Sequence, residues 1–260
     1  MPLIQKTFFR VFLCFIAALG VGSFWLSRQY VVPIMTYHHV EKTDRVEPNW
    51  VSPANFERHM EYLHHHGFHV MRFSELVEAI EQGKKPSRKS VVITFDDGNE
   101  DNYTQAFPIL KKYNFPAIMF VSSDLVNKPG RVTWDQLREM MAYGIEIGSH
   151  TRHHVYLPDK PLGIQIDEIK GSQRVLWQEL GAEIKYFAYP SGGFSTRVKA
   201  ILRESGYLAA CTTNRGRDRL NRDLYELNRV RFSDKDNRED IFWAKFSGYY
   251  NFFRERRKPH

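Results

Sequence analysis

The sequence predicts an α/β fold in which helices cover a parallel β-sheet. Short runs rich in β-branched and aromatic residues alternate with amphipathic stretches along most of the 260 residues. Polar residues suited to catalysis stand directly after several of these runs. Repeated βα units build parallel sheets whose strand ends meet on one face, and a chain of this length can close such a sheet into a barrel.

The first 29 residues differ from the rest of the chain. Lys6 and Arg10 precede an apolar run from Val11 to Leu26, and polar residues follow it. This order is typical of an export signal or a signal anchor. We favour an uncleaved membrane anchor because no cleavage site of small residues stands beside the run. The following chain is then expected outside the cytoplasm, in the periplasm or at the cell surface, tethered to the inner membrane or secreted if the segment is cleaved.

The chain beyond this segment is expected to form one domain, because two cores in so short a chain would each be poorly buried. Hydrophobic residues make up 42% and charged residues 26%, which excludes a disordered or fibrous protein. We place the domain at residues 30–250 and a basic tail at residues 251–260. The net charge of +7 suits anionic envelope polymers or lipid as well as simple solubility. We expect neither a nucleic-acid nor a protein partner.

The predicted elements alternate in type along the chain. Strands are predicted at residues 31–37, 90–95, 117–121, 145–148, 184–189 and 208–212. Helices are predicted at residues 53–66, 103–113, 134–143, 162–180 and 196–204.

The candidate site residues follow the predicted strands. His38 and His39 follow the first strand, Asp96 and Asp97 the second, and His150 the fourth. In a parallel barrel the carboxyl ends of the strands converge on one face, where such folds carry their sites. These distant segments are therefore expected to meet.

One carboxylate and two imidazoles form a ligand set suited to a catalytic zinc, since they leave a position for water. Asp96 and Asp97 supply carboxylates, and His150 is followed by two further histidines, His153 and His154, at spacings that both fit one helical face. The carboxylate that does not bind metal can accept the proton of the attacking water. An Asp-Asp-Gly sequence is also a common turn, so the interpretation depends on both segments together.

These segments resemble the polysaccharide deacetylases with a NodB homology domain, also called carbohydrate esterase family 4. Residues 94–98 (TFDDG) are similar to the first motif of that family. Residues 150–154 (HTRHH) resemble its His-Thr/Ser-x-x-His motif. The resemblance covers roughly residues 31–232.

The resemblance implies a distorted, incomplete (β/α) barrel related to the TIM barrel. It implies Asp96 as the catalytic base and Asp97, His150 and His154 as ligands of one divalent metal ion, most simply zinc. It therefore selects His154 over His153 as the second imidazole.

The beginning of the domain indicates a subgroup. Residues 33–40 (PIMTYHHV) resemble the biofilm poly-N-acetylglucosamine deacetylases, a permuted version of the family whose catalytic acid comes from an early Tyr-His segment. Most members take the acid from a late Leu-x-His motif, but the only histidine after His154 is the terminal His260. The resemblance thus implies His38 as the acid. His39 stays the alternative, because neighbours on a strand point to opposite faces.

A second departure from the family pattern concerns its Arg-x-Pro motif, where this chain has Ala188-Tyr189-Pro190. The arginine that orients the base is missing, and Arg229 is our candidate to replace it. Tyr189 and the following glycines are candidates for a backbone donor to the developing oxyanion, unless this stretch is an ordinary loop.

We therefore expect an enzyme that removes N-acetyl groups from N-acetylglucosamine units of an extracytoplasmic polysaccharide. Two alternatives remain open. One is an enzyme of the same fold that acts on peptidoglycan, chitin-like oligomers or acetylated xylan. The other is a non-catalytic glycan-binding module, which the missing arginine at Ala188 suggests.

Overall fold

The structure of the chain, a computed structural model, describes residues 3–43, 47–213, 215–216, 218–254 and 258–259, with the backbone alone for residues 3–9 and 11. Its centre is a parallel sheet curled into an incomplete barrel. The strands are β1 (Ile34–Tyr37), β2 (His39–Val40), β3 (Trp50–Val51), β4 (His69–Val70), β5 (Ser90–Phe95), β6 (Ile118–Val121), β7 (Glu146–Ser149), β8 (Tyr186–Ala188), β9 (Ala209–Cys211) and β10 (Val230–Arg231).

The main sheet has the order β10-β1-β5-β6-β7-β8-β9, and β4 also pairs with β5. Every pairing in it is parallel. Leu227 forms a parallel bridge to Cys211 at the β9 edge, a few residues before β10 pairs with β1 at the other edge. The chain from Leu227 to Arg231 thus reaches both edges, which gives the sheet its barrel-like curl.

Ten α-helices lie in the described chain: α1 (Leu3–Ser27), α2 (Pro53–His65), α3 (Phe73–Glu81), α4 (Phe107–Tyr113), α5 (Trp134–Tyr143), α6 (Leu162–Ile166), α7 (Ser172–Leu180), α8 (Thr196–Glu204), α9 (Glu239–Phe246) and α10 (Tyr250–Phe253). Their starts have chemical causes. Ser52, Thr133 and Ser195 cap α2, α5 and α8 by accepting a hydrogen bond from a backbone N–H of the first turn.

The structure confirms the predicted fold class. All six predicted strands and all five predicted helical stretches lie close to their expected positions. The helix expected over residues 162–180 is interrupted by a π-helical turn, Asp167–Gly171, and a second π-helical turn, Asn102–Ala106, begins the helix after β5. The sequence reasoning missed β4 and α3, the small β2–β3 sheet, and the helices after residue 238.

The two ends of the chain lie outside this sheet. The apolar run forms part of α1, with Phe12, Phe15 and Phe24 more than half exposed. Among the described residues, no helix is long and apolar enough to cross a membrane. The membrane anchor expected over residues 1–29 stays a prediction. The basic tail falls partly on residues 255–257 and 260, which lie outside the described residues. Its described part contacts the domain, where the Phe194 N–H donates to the Pro259 carbonyl (3.0 Å).

Candidate active site

The carboxyl ends of β1, β5 and β7 bring the candidate residues together. His38 follows β1, Asp96 and Asp97 follow β5, and His150 follows β7. His38 and Asp96 lie side by side because β1 pairs with β5 in a register that places Tyr37, the residue before His38, opposite Phe95, the residue before Asp96. β1 and β5 are buried along their whole length, so the polar side chains that follow them border the buried core.

Asp97 lies between two imidazoles. Its Oδ1 atom is 3.4 Å from His150 Nε2 and 3.1 Å from His154 Nε2, and this buried oxygen makes no hydrogen bond of acceptable geometry with any described group. Burial on its own raises the pKa of Asp97, but the two imidazoles outweigh it and hold the pKa well below the ordinary range. An ionised oxygen that has no well-placed hydrogen-bond donor and lies next to two imidazole nitrogens forms, with those nitrogens, a ligand set for a divalent cation.

The backbone bends sharply at these ligands. Asp97 has φ 72° and His154 has φ 58°, the left-handed region that costs energy for a residue with a side chain. Gly98 continues the turn with φ +67°, and a Cβ there would lie 3.2 Å from Val121 Cγ1. The turn therefore needs glycine, and it points Asp97 towards the imidazoles.

The His150 ring is fixed by a hydrogen bond at Nδ1, the nitrogen that does not face Asp97. Its Nδ1 donates to the Ala188 carbonyl at 2.6 Å, so the proton is on Nδ1 and Nε2 presents a lone pair to the Asp97 side. A backbone carbonyl on the far nitrogen is the usual support of a metal-binding histidine. This arrangement gives the same residue set that the sequence predicts: Asp97, His150 and His154 can hold one metal ion.

His153 lies on the other side of its loop. Its Nδ1 is 2.7 Å from Glu168 Oε1 and its Nε2 is 3.3 Å from Asp124 Oδ2. Glu168 belongs to the π-helical turn after α6 and also accepts hydrogen bonds from the backbone N–H groups of Arg152 and His153. The buried carboxylate thus holds the loop in the shape that turns His154, and not His153, towards Asp97.

Asp96 has a different surrounding from its neighbour. Its two oxygens accept from Arg229 Nη1 (2.7 Å) and Nη2 (2.6 Å), and both side chains are buried. Burial alone raises the pKa of Asp96, but the Arg229 charge and hydrogen bonds outweigh it, so the pKa lies below the ordinary value. Arg229 therefore supplies a guanidinium to Asp96 although residue 188 is alanine.

His38 faces the carboxylates and His39 does not. His38 Nε2 is 3.7 Å from Asp96 Oδ2. Burial, with the nearby Arg229 and His150, lowers the pKa of His38 below its ordinary value, although Asp96 and Asp97 act in the opposite direction. His39 forms a 2.6 Å hydrogen bond with Asp101 and stacks on Trp50, with 3.9 Å between the ring centroids.

Tyr189 is not placed as expected. Its backbone N–H donates to the Cys211 carbonyl within the sheet (3.0 Å), and its hydroxyl donates to the Tyr225 carbonyl. The N–H groups of Gly192 and Gly193 donate to carbonyls of the same turn, at 2.8 and 3.4 Å. The expectation that Tyr189 and these glycines offer a backbone donor to an oxyanion was therefore wrong, because all three N–H groups already have acceptors.

The sequence reasoning missed a group of polar residues directly after the first motif: Asn99, Asp101 and Asn102. Asn99 and Asn102 are buried, and both side chains donate to the His38 carbonyl, at 3.0 and 2.8 Å. The available signal was the run of amide and carboxylate side chains after the Asp-Asp-Gly turn, but such residues also stand at ordinary helix starts, so the sequence alone did not single them out.

Comparisons with known proteins identify a family for the chain. A family model described as "Polysaccharide deacetylase" matches residues 83–210. YxkH of Bacillus subtilis (strain 168), which is named as a polysaccharide deacetylase, is 33% identical over 202 residues, covering 78% of this chain and 71% of YxkH. A poly-beta-1,6-N-acetyl-D-glucosamine N-deacetylase of Staphylococcus aureus (strain MRSA252) is 26% identical over 198 residues, covering 71% of this chain and 68% of that protein.

Solved structures show the same fold. The Streptococcus pyogenes deacetylase PplD, in complex with acetate, superposes with a TM-score of 0.77 and 28% identity over 82% of this chain and 97% of that chain. IcaB from Ammonifex degensii gives a TM-score of 0.71 and 27% identity over 83% of this chain and 97% of that chain.

Proposed function

Because the chain belongs to the polysaccharide deacetylase family and is a hydrolase of amide bonds, we propose that it removes acetyl groups from N-acetylglucosamine units of a polysaccharide in a metal-dependent reaction. One observation carries the metal dependence: the ionised Asp97 oxygen lies between the Nε2 atoms of His150 and His154. The choice of substrate is supported by the similarity to the Staphylococcus aureus protein, which is named for a β-1,6-linked N-acetylglucosamine polymer.

The proposed metal site consists of Asp97, His150 and His154, and zinc suits one oxygen and two imidazole nitrogens. A divalent cation held there would supply Lewis-acid polarisation of the acetamide carbonyl and of the attacking water. The His150–Ala188 hydrogen bond keeps the imidazole in the tautomer that binds metal.

Asp96 is proposed to accept the proton of the attacking water. Each carboxylate oxygen has two lone-pair sites, so the two hydrogen bonds from Arg229 leave capacity for this proton. The guanidinium also keeps Asp96 ionised and in one orientation before attack.

His38 is proposed to protonate the leaving nitrogen. An amine is a poor leaving group, so cleavage of the amide needs a proton donor in the transition state. His38 lies on the Asp96 side of the site, with Nε2 3.7 Å from Asp96 Oδ2. Burial lowers the pKa of His38 below its ordinary value although the two carboxylates act in the opposite direction, so a protonated His38 gives up its proton readily. The products are acetate and a polymer with free amino groups.

We also propose that the domain acts outside the cytoplasm. Lys6 and Arg10 before an apolar run give the order of an export signal. Protease treatment of spheroplasts from cells that produce the full chain checks this, because their inner membrane is intact while the former periplasm is open. We expect the domain to be degraded, and a domain that is protected until the spheroplasts are lysed would refute the proposal.

The central test is acetate release by the purified full chain loaded with zinc. The substrates are β-1,6-linked N-acetylglucosamine oligomers, with chitin oligomers, peptidoglycan and acetylated xylan as the alternatives. We expect acetate from the β-1,6-linked oligomers, loss of release with a chelator, and recovery with added zinc. Release that a chelator does not affect would overturn the metal dependence. Faster release from another polymer would overturn the substrate assignment.

A further inference from the structure

His38 lies where the chain leaves the main sheet. The ladder between β1 and β5 ends with the Asp96 N–H donating to the Tyr37 carbonyl (3.0 Å). Among the described residues, the next strand, β2, pairs only with β3 in a separate two-stranded sheet, beside which the His39 N–H donates to the Asn49 carbonyl (3.0 Å). The main sheet therefore does not fix the orientation of the His38 peptide, and other contacts must do so.

Two buried amides hold that peptide. Asn102 Nδ2 donates to the His38 carbonyl at 2.8 Å, and Asn99 Nδ2 donates to the same oxygen at 3.0 Å. Asn102 is 1% exposed and Asn99 is 2% exposed. Both lone pairs of one carbonyl are thus used by side chains that have little freedom to move.

Asp101 holds the next two residues. One of its oxygens accepts from the Val40 N–H at 2.9 Å and from Asn102 Nδ2 at 2.7 Å. The other forms the 2.6 Å hydrogen bond with His39. Asp101 therefore has partners on both oxygens, so it acts as a structural group although it forms a possible metal-binding cluster with His39 and Glu41.

A further bond connects these contacts to the proposed metal site. Asn99 Oδ1 accepts from Arg131 Nη1 at 2.6 Å, and the same Nη1 donates to the Asp97 carbonyl at 3.0 Å. The chain His38–Asn99–Arg131–Asp97 thus fixes the backbone of the proposed acid relative to the backbone of a proposed metal ligand.

We infer that Asn102 and Asn99 are positioning residues that hold the His38 imidazole against the scissile bond. The inference rests on the proposed function, since it assigns these residues a role only if His38 is the acid. A displacement of about 1 Å at a catalytic group can cost on the order of 100-fold in rate. An alanine at either position removes one donor from the His38 carbonyl and leaves space beside it, while the His39 N–H of the same peptide still donates to the Asn49 carbonyl.

The leaving group separates this role from a structural one. An acetamide needs a proton on its leaving nitrogen, whereas an activated aryl acetate expels a stable phenolate without one. A loss of acid positioning therefore slows acetamide hydrolysis selectively. Damage to the metal site or to the fold slows both substrates equally.

The experiment measures kcat for N-acetylglucosamine oligomers and for an aryl acetate with the zinc-loaded full chain. We expect Asn102→Ala to lose about 10–100-fold on the oligomer and to stay within about threefold on the aryl acetate. Asn99→Ala, which leaves one donor on the carbonyl, should show the same selectivity with a smaller loss. The double variant His38→Ala/Asn102→Ala should be no slower on the oligomer than His38→Ala.

Asn55→Ala is the matched control. Asn55 is also buried and donates to a backbone carbonyl, that of Asp236 (2.9 Å), from helix α2. Its replacement should lower the melting temperature by a similar amount without changing the ratio of the two rates. Zinc content and melting temperature are recorded for every variant.

The outcomes distinguish the inference from its premise. If His38→Ala is selective but Asn102→Ala and Asn99→Ala slow both substrates equally or slow neither, the positioning role is refuted and the acid assignment stands. If His38→Ala itself is not selective, the assignment of the acid is wrong and the inference falls with it. Should Asn102→Ala fail to fold, Asn99→Ala decides.

Discussion

Asp96 and Asp97 are neighbours in the sequence but lie in opposite surroundings. Asp96 is 2% exposed and both of its oxygens are bound by Arg229. Asp97 turns away at φ 72°, and its side chain, 19% exposed, faces two imidazoles. The first carboxylate already has a full positive charge beside it, and the second has two rings that are neutral when they act as ligands.

This difference supports a separate proposed role for each carboxylate. A buried carboxylate is costly unless a cation compensates it. Arg229 compensates Asp96, so Asp96 stays ionised without a metal and can act as a base. Asp97 has no guanidinium or ammonium against its side chain among the described residues, so a divalent ion best completes its surroundings.

The largest expected effect comes from Asp97. In Asp97→Asn the zinc content should fall below one half of the wild-type value at equal free zinc, because the ionised ligand is lost. Loss of Lewis-acid polarisation should remove about 5 kcal/mol, on the order of 10⁴-fold in turnover. Metal analysis after gel filtration and acetate release check both values, and a variant that kept full zinc would refute the assignment.

Asp96→Asn sharpens the contrast, because it should lower turnover without lowering zinc content. A general base contributes on the order of 10³-fold, and asparagine cannot accept the proton. The same two measurements apply. If Asp96→Asn lost as much zinc as Asp97→Asn, the two carboxylates would not have separate roles as base and metal ligand.

The two neighbouring histidines provide a similar contrast with a smaller effect. His154→Ala should weaken zinc binding by at least about 100-fold, since it removes a ligand. His153→Ala removes the contact with Glu168 and should lower stability while zinc affinity changes far less. Competition with a chromogenic chelator measures both affinities, and equal losses would contradict the choice of His154.

Sequence patterns predicted the residues that stand directly at strand ends. His38, Asp96 and His150 were found because the carboxyl ends of parallel strands meet whatever the loops do. The choice between His153 and His154 came from the resemblance. Helical spacing could not make it, because the segment is a loop with two residues in the left-handed region, Thr151 and His154.

Other features depend on contacts between distant parts of the chain. The Tyr189 N–H was wrongly taken as free because its acceptor, the Cys211 carbonyl, belongs to a strand that begins twenty residues later. The residues that hold the His38 peptide, Asn99 and Asn102, are polar side chains whose burial becomes visible only when β1 packs beside β5.

The Asp96–Arg229 pair gives the smallest of these effects and a direct test of why Asp96 stays ionised. Arg229 holds the pKa of Asp96 below its ordinary value against burial, which acts upwards. Arg229→Gln removes the guanidinium that opposes the effect of burial, so the pKa of Asp96 should rise. The base is active when deprotonated, so the acidic limb of kcat/KM should move to higher pH. Arg229→Lys keeps the charge and should shift the limb less.

Arg229→Gln and Arg229→Lys should also lower the free energy of unfolding. Breaking one side of a buried ion pair typically costs about 3–5 kcal/mol. The stabilising effect of the pair is present above the ordinary pKa of Asp96 and is lost as the pH falls through its lowered folded-state pKa. Thermal unfolding at neutral pH should therefore separate Arg229→Gln from Arg174→Gln, an exposed control. An acidic limb of Arg229→Gln that coincides with that of Arg174→Gln would mean that Arg229 does not set the ionisation of Asp96, and the contrast between the two carboxylates would then need another cause.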